Sequence, residues 1–265
     1  MKSYAFLLLQ RYPRLKTFLK DIRNVLLKSS SVSSRYIEMP DGALETESVR
    51  LRGAWQDWDL PMKQRELVDR QLGDYRAGLA IDVFDVLVEA MHAIPKESRA
   101  SVLEVGCSSG FYSEVFKIAG LDVNYVGADY SDAFIKLARL RYPALKFDLE
   151  DATAMRYRDD AFDVVISGCC LLHIPEYEEA VAEVARVART FAIFHRTPVV
   201  LDRPNRYFRK LAYGVETIEI HFNEQQFLDL LRTHSMELVG TWNLSETPPD
   251  QPISAVRTYL CRVIK

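Results

Sequence analysis

The chain has 265 residues, 48% of them apolar, with 34 basic and 37 acidic residues and a net charge of −3. That length admits one large domain or one domain with an appendage, and the apolar share suffices for a sizeable core. The balanced charge argues against nucleic acid as a partner. Cys107, Cys169, Cys170 and Cys261 have neither metal-ligand spacing nor disulfide-framework density, which predicts no metal site and a reducing, cytoplasmic setting.

In chain order, Met1–Lys28 carries seven Lys/Arg and one Asp. Leu8, Tyr12, Leu15, Leu19, Ile22 and Leu26 recur at helical spacing among basic residues, so residues 1–29 read as a basic amphipathic helix, bent at Pro13. The apolar run Tyr4–Leu9 is too short for a signal-peptide core or a membrane span. Two readings of this helix stand: peripheral contact with a membrane surface or a partner, and packing on its own domain with one solvated face. A serine-rich linker at 29–34 follows, then a helical extension over 30–98 with two helical stretches between Pro61 and Ala93, split near Gly73 or Gly78.

From Ser101 the pattern alternates. Strands are predicted at Ser101–Val105, Val123–Ala128, Leu145–Leu149, Phe162–Ser167, Phe191–His195, Glu237–Trp242 and Ala255–Val263. Helices are predicted at Gly110–Ala119, Ser131–Arg141, Pro175–Arg189 and Glu224–His234. Apolar strands alternating with helices predict an α/β domain over 99–265 whose parallel sheet is covered on both faces. The last two strands have no helix between them, so they should pair antiparallel and leave a reversed strand at one edge.

Four signals in order bear on ligand binding. Glu104-Val105-Gly106-Cys107-Ser108-Ser109-Gly110 links a strand to a helix through a glycine loop, where backbone N–H groups can approach a ligand closely. A dinucleotide loop would carry three glycines as G-x-G-x-x-G, and Ser108 stands where a middle glycine would be. Gly127-Ala128-Asp129-Tyr130-Ser131 closes the second strand, Asp151-Ala152 follows the third, and Phe162–Ser167 forms the fourth. A carboxylate at a strand's C-terminal end can accept both hydroxyls of a ribose; Asp129 capping the next helix is the alternative, although Ser131 can serve as that cap.

These residues resemble the class I S-adenosylmethionine-dependent methyltransferases, most closely the branch of the ubiquinone-biosynthesis methyltransferases, over roughly residues 99–243. The resemblance implies a Rossmann-like, seven-stranded, mostly parallel sheet with one antiparallel edge strand, and S-adenosyl-L-methionine as cofactor. It implies that the backbone of Gly106, Cys107, Ser108 and Gly110 wraps the methionine part, with Glu104 near its amino end. It assigns Asp129 to the ribose, Tyr130 to a flank of the adenine, Asp151 to the adenine amino group with Ala152 along the ring edge, and Ser167 to the end of the strand facing the methionine. Asp163 and the helix containing Glu183–Val187 are expected to be structural.

Methyl transfer from a sulfonium is an in-line displacement in which alignment does most of the work, and a hydroxyl acceptor also needs a base. Three histidines lie near the expected mouth. His173 is a base or a backbone hydrogen-bonding residue before Pro175. His195 with Arg196 ends the fifth strand, the first as a base and the second as a bidentate anion site or a partner of Glu216 or Glu219. His221 lies in Pro198–Phe222, read as a long loop serving as lid or solvated surface. Trp55 and Trp58 are expected either to cap the cofactor or to pack between helices. The function expected is methylation, at oxygen, of a small molecule or of a glycan or lipid-linked precursor. The alternatives are a non-catalytic S-adenosylmethionine-binding protein and a nicotinamide-dependent oxidoreductase.

Overall fold

The computed structural model describes residues 33–40, 43–95, 99–246 and 254–265. The basic helix expected over 1–29 and the first part of the serine-rich linker lie outside the described residues. The linker's last two residues open a strand, β1 (Ser33–Glu38). Helix α1 (Ala43–Gly53) follows, then a single 3-10 turn (Ala54–Gln56), α2 (Leu60–Arg76) and α3 (Asp82–His92). Pro61 sits in the first turn of α2, where its missing N–H costs nothing. The break between α2 and α3 falls at Gly78, whose φ of 87° suits a residue without Cβ.

The alternating region then runs β2 (Ser101–Val105), α4 (Tyr112–Ala119), β3 (Asn124–Asp129), α5 (Asp132–Arg141) and β4 (Lys146–Leu149). It continues with β5 (Phe162–Gly168), a 3-10 turn (Leu171–His173), α6 (Tyr177–Val187) and β6 (Ala188–Val200). The chain closes with β7 (Arg206–Ala212), β8 (Val215–Asn223), α7 (Glu224–Thr233), β9 (Met236–Glu246) and β10 (Ser254–Val263).

Seven strands form the expected sheet in the order β4–β3–β2–β5–β6–β10–β9. β2 to β6 are mutually parallel, and β10 runs antiparallel to both β6 and β9. The reversed strand is therefore one place in from the edge. The helix α7 delivers β9 to the outside, and β10 turns back into the gap beside β6.

Two apolar clusters cover the two faces. On one face Phe84, Leu87, Val88 and Met91 of α3 pack with Val115 and Phe116 of α4 over Val102, Val164 and Ile193. On the other, Val181, Val184 and Phe227 cover Leu103, Val165 and Phe194. The α3 residues recur at i, i+3, i+4 and i+7, and each fully buried large side chain contributes about 1.5–3 kcal/mol.

Two expectations are corrected. The extension is not all helical: β1 pairs antiparallel with β7 as an edge strand. It is short, and its register slips between Ser34 and Ile37, where Arg35 takes φ 54°, so no clean two-residue period marks it. Pro198–Phe222 is not a long loop either. β6 outruns β5, β7 and β8 form an antiparallel hairpin, and β8 returns to pair with β6 at Val199 and Val200. Among the described residues no helix is long and apolar enough to cross a membrane.

Candidate active site

The glycine loop leaves β2 at the centre of the sheet, between β3 and β5. Gly106, Ser108 and Gly110 all have left-handed backbone, with φ of 72°, 49° and 75°. Serine thus takes the conformation of the missing middle glycine, at a cost of about 1 kcal/mol. Gly106 admits no side chain at all, since a Cβ there would lie 2.2 Å from Cβ of Cys170. Gly110 is held as closely, with the Phe147 ring 2.5 Å from where its Cβ would be.

The loop is tied to the next strand end. Ser108 N–H donates to Oδ2 of Asp129 at 2.8 Å, and Cys107 N–H donates to the Ala128 carbonyl at 2.9 Å. The Cys107 side chain is buried in the core, so only its backbone faces the loop. Helix α2 reaches the same loop. Ser108 Oγ donates to Gln64 Oε1 at 2.7 Å, and the buried Arg65 donates to Ser109 Oγ at 3.5 Å. Gln64 and Arg65 carried no sequence signal beyond a position on a helical stretch. Glu104 is buried at the strand end and accepts from the Tyr125 hydroxyl. Burial pushes its carboxyl well above the usual carboxylate range, against the Tyr125 hydrogen bond.

Asp129 also accepts from Ser131 N–H at 2.9 Å. Ser131 itself caps nothing: it stands at the N-terminus of α5, and its hydroxyl is buried without a hydrogen-bond partner. Burial moves the Asp129 carboxyl up to about 6, although backbone N–H groups oppose the shift. Beyond β4, Asp151 accepts from Thr153 N–H at 3.0 Å and Thr153 Oγ1 at 2.8 Å. Its other oxygen takes Arg52 Nη2 at 2.5 Å. Burial pushes this carboxyl up, but the hydrogen bonds from Thr153 and Arg52 outweigh it and hold it below its ordinary value. The Arg52 guanidinium also lies 5.6 Å from the centroid of the Tyr130 ring, and Tyr130 donates its hydroxyl to the Arg52 carbonyl. Arg52 thus stands between the two side chains expected to hold the adenine. Ala152 is half-buried beside Asp151 and packs against the core.

On the other side of the loop, Ser167 Oγ and Cys170 Sγ are 3.3 Å apart, and the Cys170 thiol donates to the Val105 carbonyl at 3.2 Å. His173 Nδ1 lies 2.5 Å from the Ile218 carbonyl, which requires the proton on Nδ1 and leaves the lone pair on Nε2. Burial, assisted by Lys210, pushes the imidazole down to about 3. Trp55 packs on it with centroids 4.7 Å apart, and the indole N–H is buried without a partner. Trp58 is elsewhere: it is 63% exposed and lies under Lys136 of α5, so it closes no cleft.

His195 does not lie open at the mouth as expected. It is 1% exposed, with Nε2 3.0 Å from the Tyr112 hydroxyl and Nδ1 2.8 Å from Thr258 Oγ1. With both nitrogens bonded inside the protein it cannot take a proton from an acceptor directly. Tyr112, absent from the sequence-based candidates, is its buried partner on α4. Arg196 next to it is half-buried and interacts with Tyr112, Cys169 and Tyr213. His221 is in the hairpin, 2.8 Å from Glu219 Oε1. Asp163 is structural, accepting from Ser101 N–H at 2.8 Å and Arg189 at 2.6 Å. Among the described residues no group of three or more His, Cys, Asp and Glu side chains is placed to hold a metal.

The site fits an adenosyl cofactor on its own geometry. Left-handed backbone at Gly106, Ser108 and Gly110 turns the loop at the end of β2, Asp129 ends β3, Asp151 follows β4, and the Ser131 hydroxyl and Trp55 indole are buried polar groups without partners. Residues 103–194 match the family model described as a methyltransferase domain. The chain is 36% identical over 104 residues to the demethylmenaquinone methyltransferase of Renibacterium salmoninarum, covering 39% of this chain and 42% of that one. It is 28% identical over 158 residues to the trans-aconitate 2-methyltransferase of Variovorax paradoxus, covering 59% and 60%. The chain thus spans about half the length of these curated relatives. The 1,6-didemethyltoxoflavin-N1-methyltransferase of Burkholderia thailandensis, solved with 1,6-didemethyltoxoflavin and S-adenosylhomocysteine, superposes with a TM-score of 0.54 at 15% identity, covering 87% of this chain and 94% of that one. That likeness extends the shared fold beyond the matched segment, to most of the sheet. Over residues 103–194, then, the chain matches a methyltransferase domain, and over most of its length it shares the fold of a methyltransferase solved with S-adenosylhomocysteine.

Proposed function

We propose that the chain transfers a methyl group from S-adenosylmethionine to an oxygen atom of a small-molecule acceptor. The observation that carries this reading is the joined set at three neighbouring strand ends: the left-handed glycine loop, Asp129 hydrogen-bonded to it, and Asp151 beyond β4. The cofactor supplies a methyl group already activated on a sulfonium. The loop backbone and Glu104 would hold its methionine end, Asp129 would accept from the ribose hydroxyls, and Tyr130 with Asp151 and Ala152 would take the adenine. Trp55 covers the reacting centre against water. His173, neutral at physiological pH, offers the Nε2 lone pair to orient an acceptor hydroxyl rather than to remove its proton outright.

The two relatives and the structural neighbour are named for three different small molecules. That variety supports a small-molecule acceptor and favours none in particular. Calorimetry with S-adenosylhomocysteine and, separately, NADH tests the cofactor: binding of the first alone is expected, and binding of NADH alone would overturn the reading. Transfer of label from methyl-labelled cofactor to any acceptor in a small-molecule panel separates an enzyme from a protein that only binds the cofactor.

A further inference from the structure

We propose that Arg196 anchors a carboxylate carried by the acceptor. This rests on the methyltransferase reading for the word acceptor, and on the following geometry for the anchor.

β6 is bulged at His195 and Arg196. Its pairing with β10 slips between Arg257↔Thr197 and Tyr259↔Phe194, so two residues of β6 oppose Thr258 alone. Arg196 takes φ 60° there. Such bulges redirect a side chain out of the alternation of its strand. Cys169 at the end of β5, with φ 60°, and Tyr213 at the tip of the β7–β8 hairpin, with φ 50°, are also left-handed without being glycine. Both of them neighbour the Arg196 guanidinium, as does the Tyr112 hydroxyl. Three strained positions on three elements therefore meet at one cation, and strain of this kind collects where a structure positions functional groups.

Among the described residues the groups around that cation are the Cys169 thiol, two phenols and an imidazole, and none is a carboxylate. Tyr112 and Tyr213 are phenols held above their ordinary range by burial, and His195 is kept neutral by burial and by Arg196 itself. The two hairpin carboxylates that the sequence offered as partners are engaged elsewhere. Glu216 pairs with Arg50 at 2.9 Å and with Arg209 at 3.7 Å. Glu219 pairs with Lys210 and, at 2.8 Å, with His221. Among the described residues no carboxylate forms an ion pair with Arg196. A half-buried guanidinium with no carboxylate partner is a cation that a ligand's anionic group can pair with. The planar fork of the guanidinium matches a carboxylate, and the nearby phenols add neutral donors. Arg196 is on β6, two strands from β2, but it also meets Tyr112 just past the glycine loop, so the cofactor's own carboxylate is the rival occupant and titration with S-adenosylhomocysteine separates the two.

The test uses the full chain, as wild type, Arg196→Gln and Arg196→Lys. Each is titrated with S-adenosylhomocysteine by calorimetry. Each is also assayed by ligand-observed NMR against matched acids and amides (benzoate with benzamide, succinate with succinamide), with and without S-adenosylhomocysteine. The wild type should prefer acids over their amides by about ten- to hundred-fold. Arg196→Gln should lose that preference while binding S-adenosylhomocysteine within about two-fold of wild type, and Arg196→Lys should keep part of it, having the charge without the fork. Thermal melting reports whether each variant is folded, and if the glutamine variant is not, the lysine variant decides by whether its preference falls. Absence of any acid preference in the wild type overturns the proposal, as does a preference indifferent to both substitutions. Loss of S-adenosylhomocysteine binding in Arg196→Gln with the acid preference intact would assign the residue to the cofactor's own carboxylate instead. A wild type that does not bind S-adenosylhomocysteine would sink the methyltransferase reading, while the acid–amide comparison made without it would still report on Arg196.

Discussion

Replacing Arg52 with alanine should tighten S-adenosylhomocysteine binding. Arg52 donates to Asp151 at 2.5 Å, approaches Glu176 at 3.5 Å and lies 5.6 Å from the Tyr130 centroid. If the adenine takes Tyr130 and Asp151, these contacts are given up as the cofactor enters. Arg52 is 26% exposed and its two carboxylate partners are 43% and 45% exposed, so each pair is well solvated. Pairs of that kind contribute about 0.2–1 kcal/mol each, and the cation–π contact about 0.5–1 kcal/mol. Allowing for the shared guanidinium, the sum is about 1–2 kcal/mol, which corresponds to roughly five- to thirty-fold in affinity. Calorimetry at low and high salt is the assay. Arg52→Ala should bind more tightly than wild type at low salt, and the gap should narrow as salt screens the ion pairs. Weaker binding in Arg52→Ala would refute the reasoning, because it would mean that Arg52 stays and covers the bound adenine.

Further outcomes follow from the same site. The Asp129 carboxyl, raised to about 6, should make S-adenosylhomocysteine affinity climb between pH 5 and 7 as it ionises and becomes an acceptor for both ribose hydroxyls; Asp129→Asn should give a flat profile about ten- to hundred-fold weaker at pH 7. The linked effect on the cofactor-free protein has the opposite sign. A carboxyl whose folded value exceeds its ordinary 3.8 contributes stability that is fully present below that value and is lost as pH rises through about 6, so the difference in melting temperature between wild type and Asp129→Asn should shift across that window. Gly106→Ala should abolish S-adenosylhomocysteine binding and lower stability by more than about 2 kcal/mol, because the new Cβ meets Cys170 in a left-handed backbone. Adding Cys170→Gly should recover only part of the loss, since it removes the collision and leaves the φ; full recovery would show that sterics alone require the glycine.

The region from β2 to α6 was legible because its strands are continuous apolar runs and its helices have one apolar face. Chain order then placed Glu104, Asp129 and Asp151 at strand ends with no further information. The hairpin and β1 were not legible, and the reason is chemical. Lys210 and Glu219 are buried and paired with each other across β7 and β8, and Thr217 is fully buried beside them. In sequence those residues look like solvent-facing polarity, so a strand with one polar buried face passes for a loop. Tyr213-Gly214 at the hairpin tip, with φ 50° and 90°, was the available turn signal. The roles of the histidines were illegible for a different reason. Only the three-dimensional partners distinguish His173, with one nitrogen on a carbonyl, from His195, with both nitrogens bonded in the interior.

The pairing of β1 with β7 sets the unit in which this protein can be re-engineered. β7 has β8 on one side and β1 on the other, and Glu38–Arg206, Glu47–Arg209 and Arg50–Glu216 ion pairs join the same two segments. A hairpin exchanged alone for one of different length would leave a long strand edge bare, an invitation to association between copies. Residues 33–56 and 198–223, though far apart in the chain, therefore form one exchangeable module, and recombination libraries that alter acceptor preference should cross over outside both.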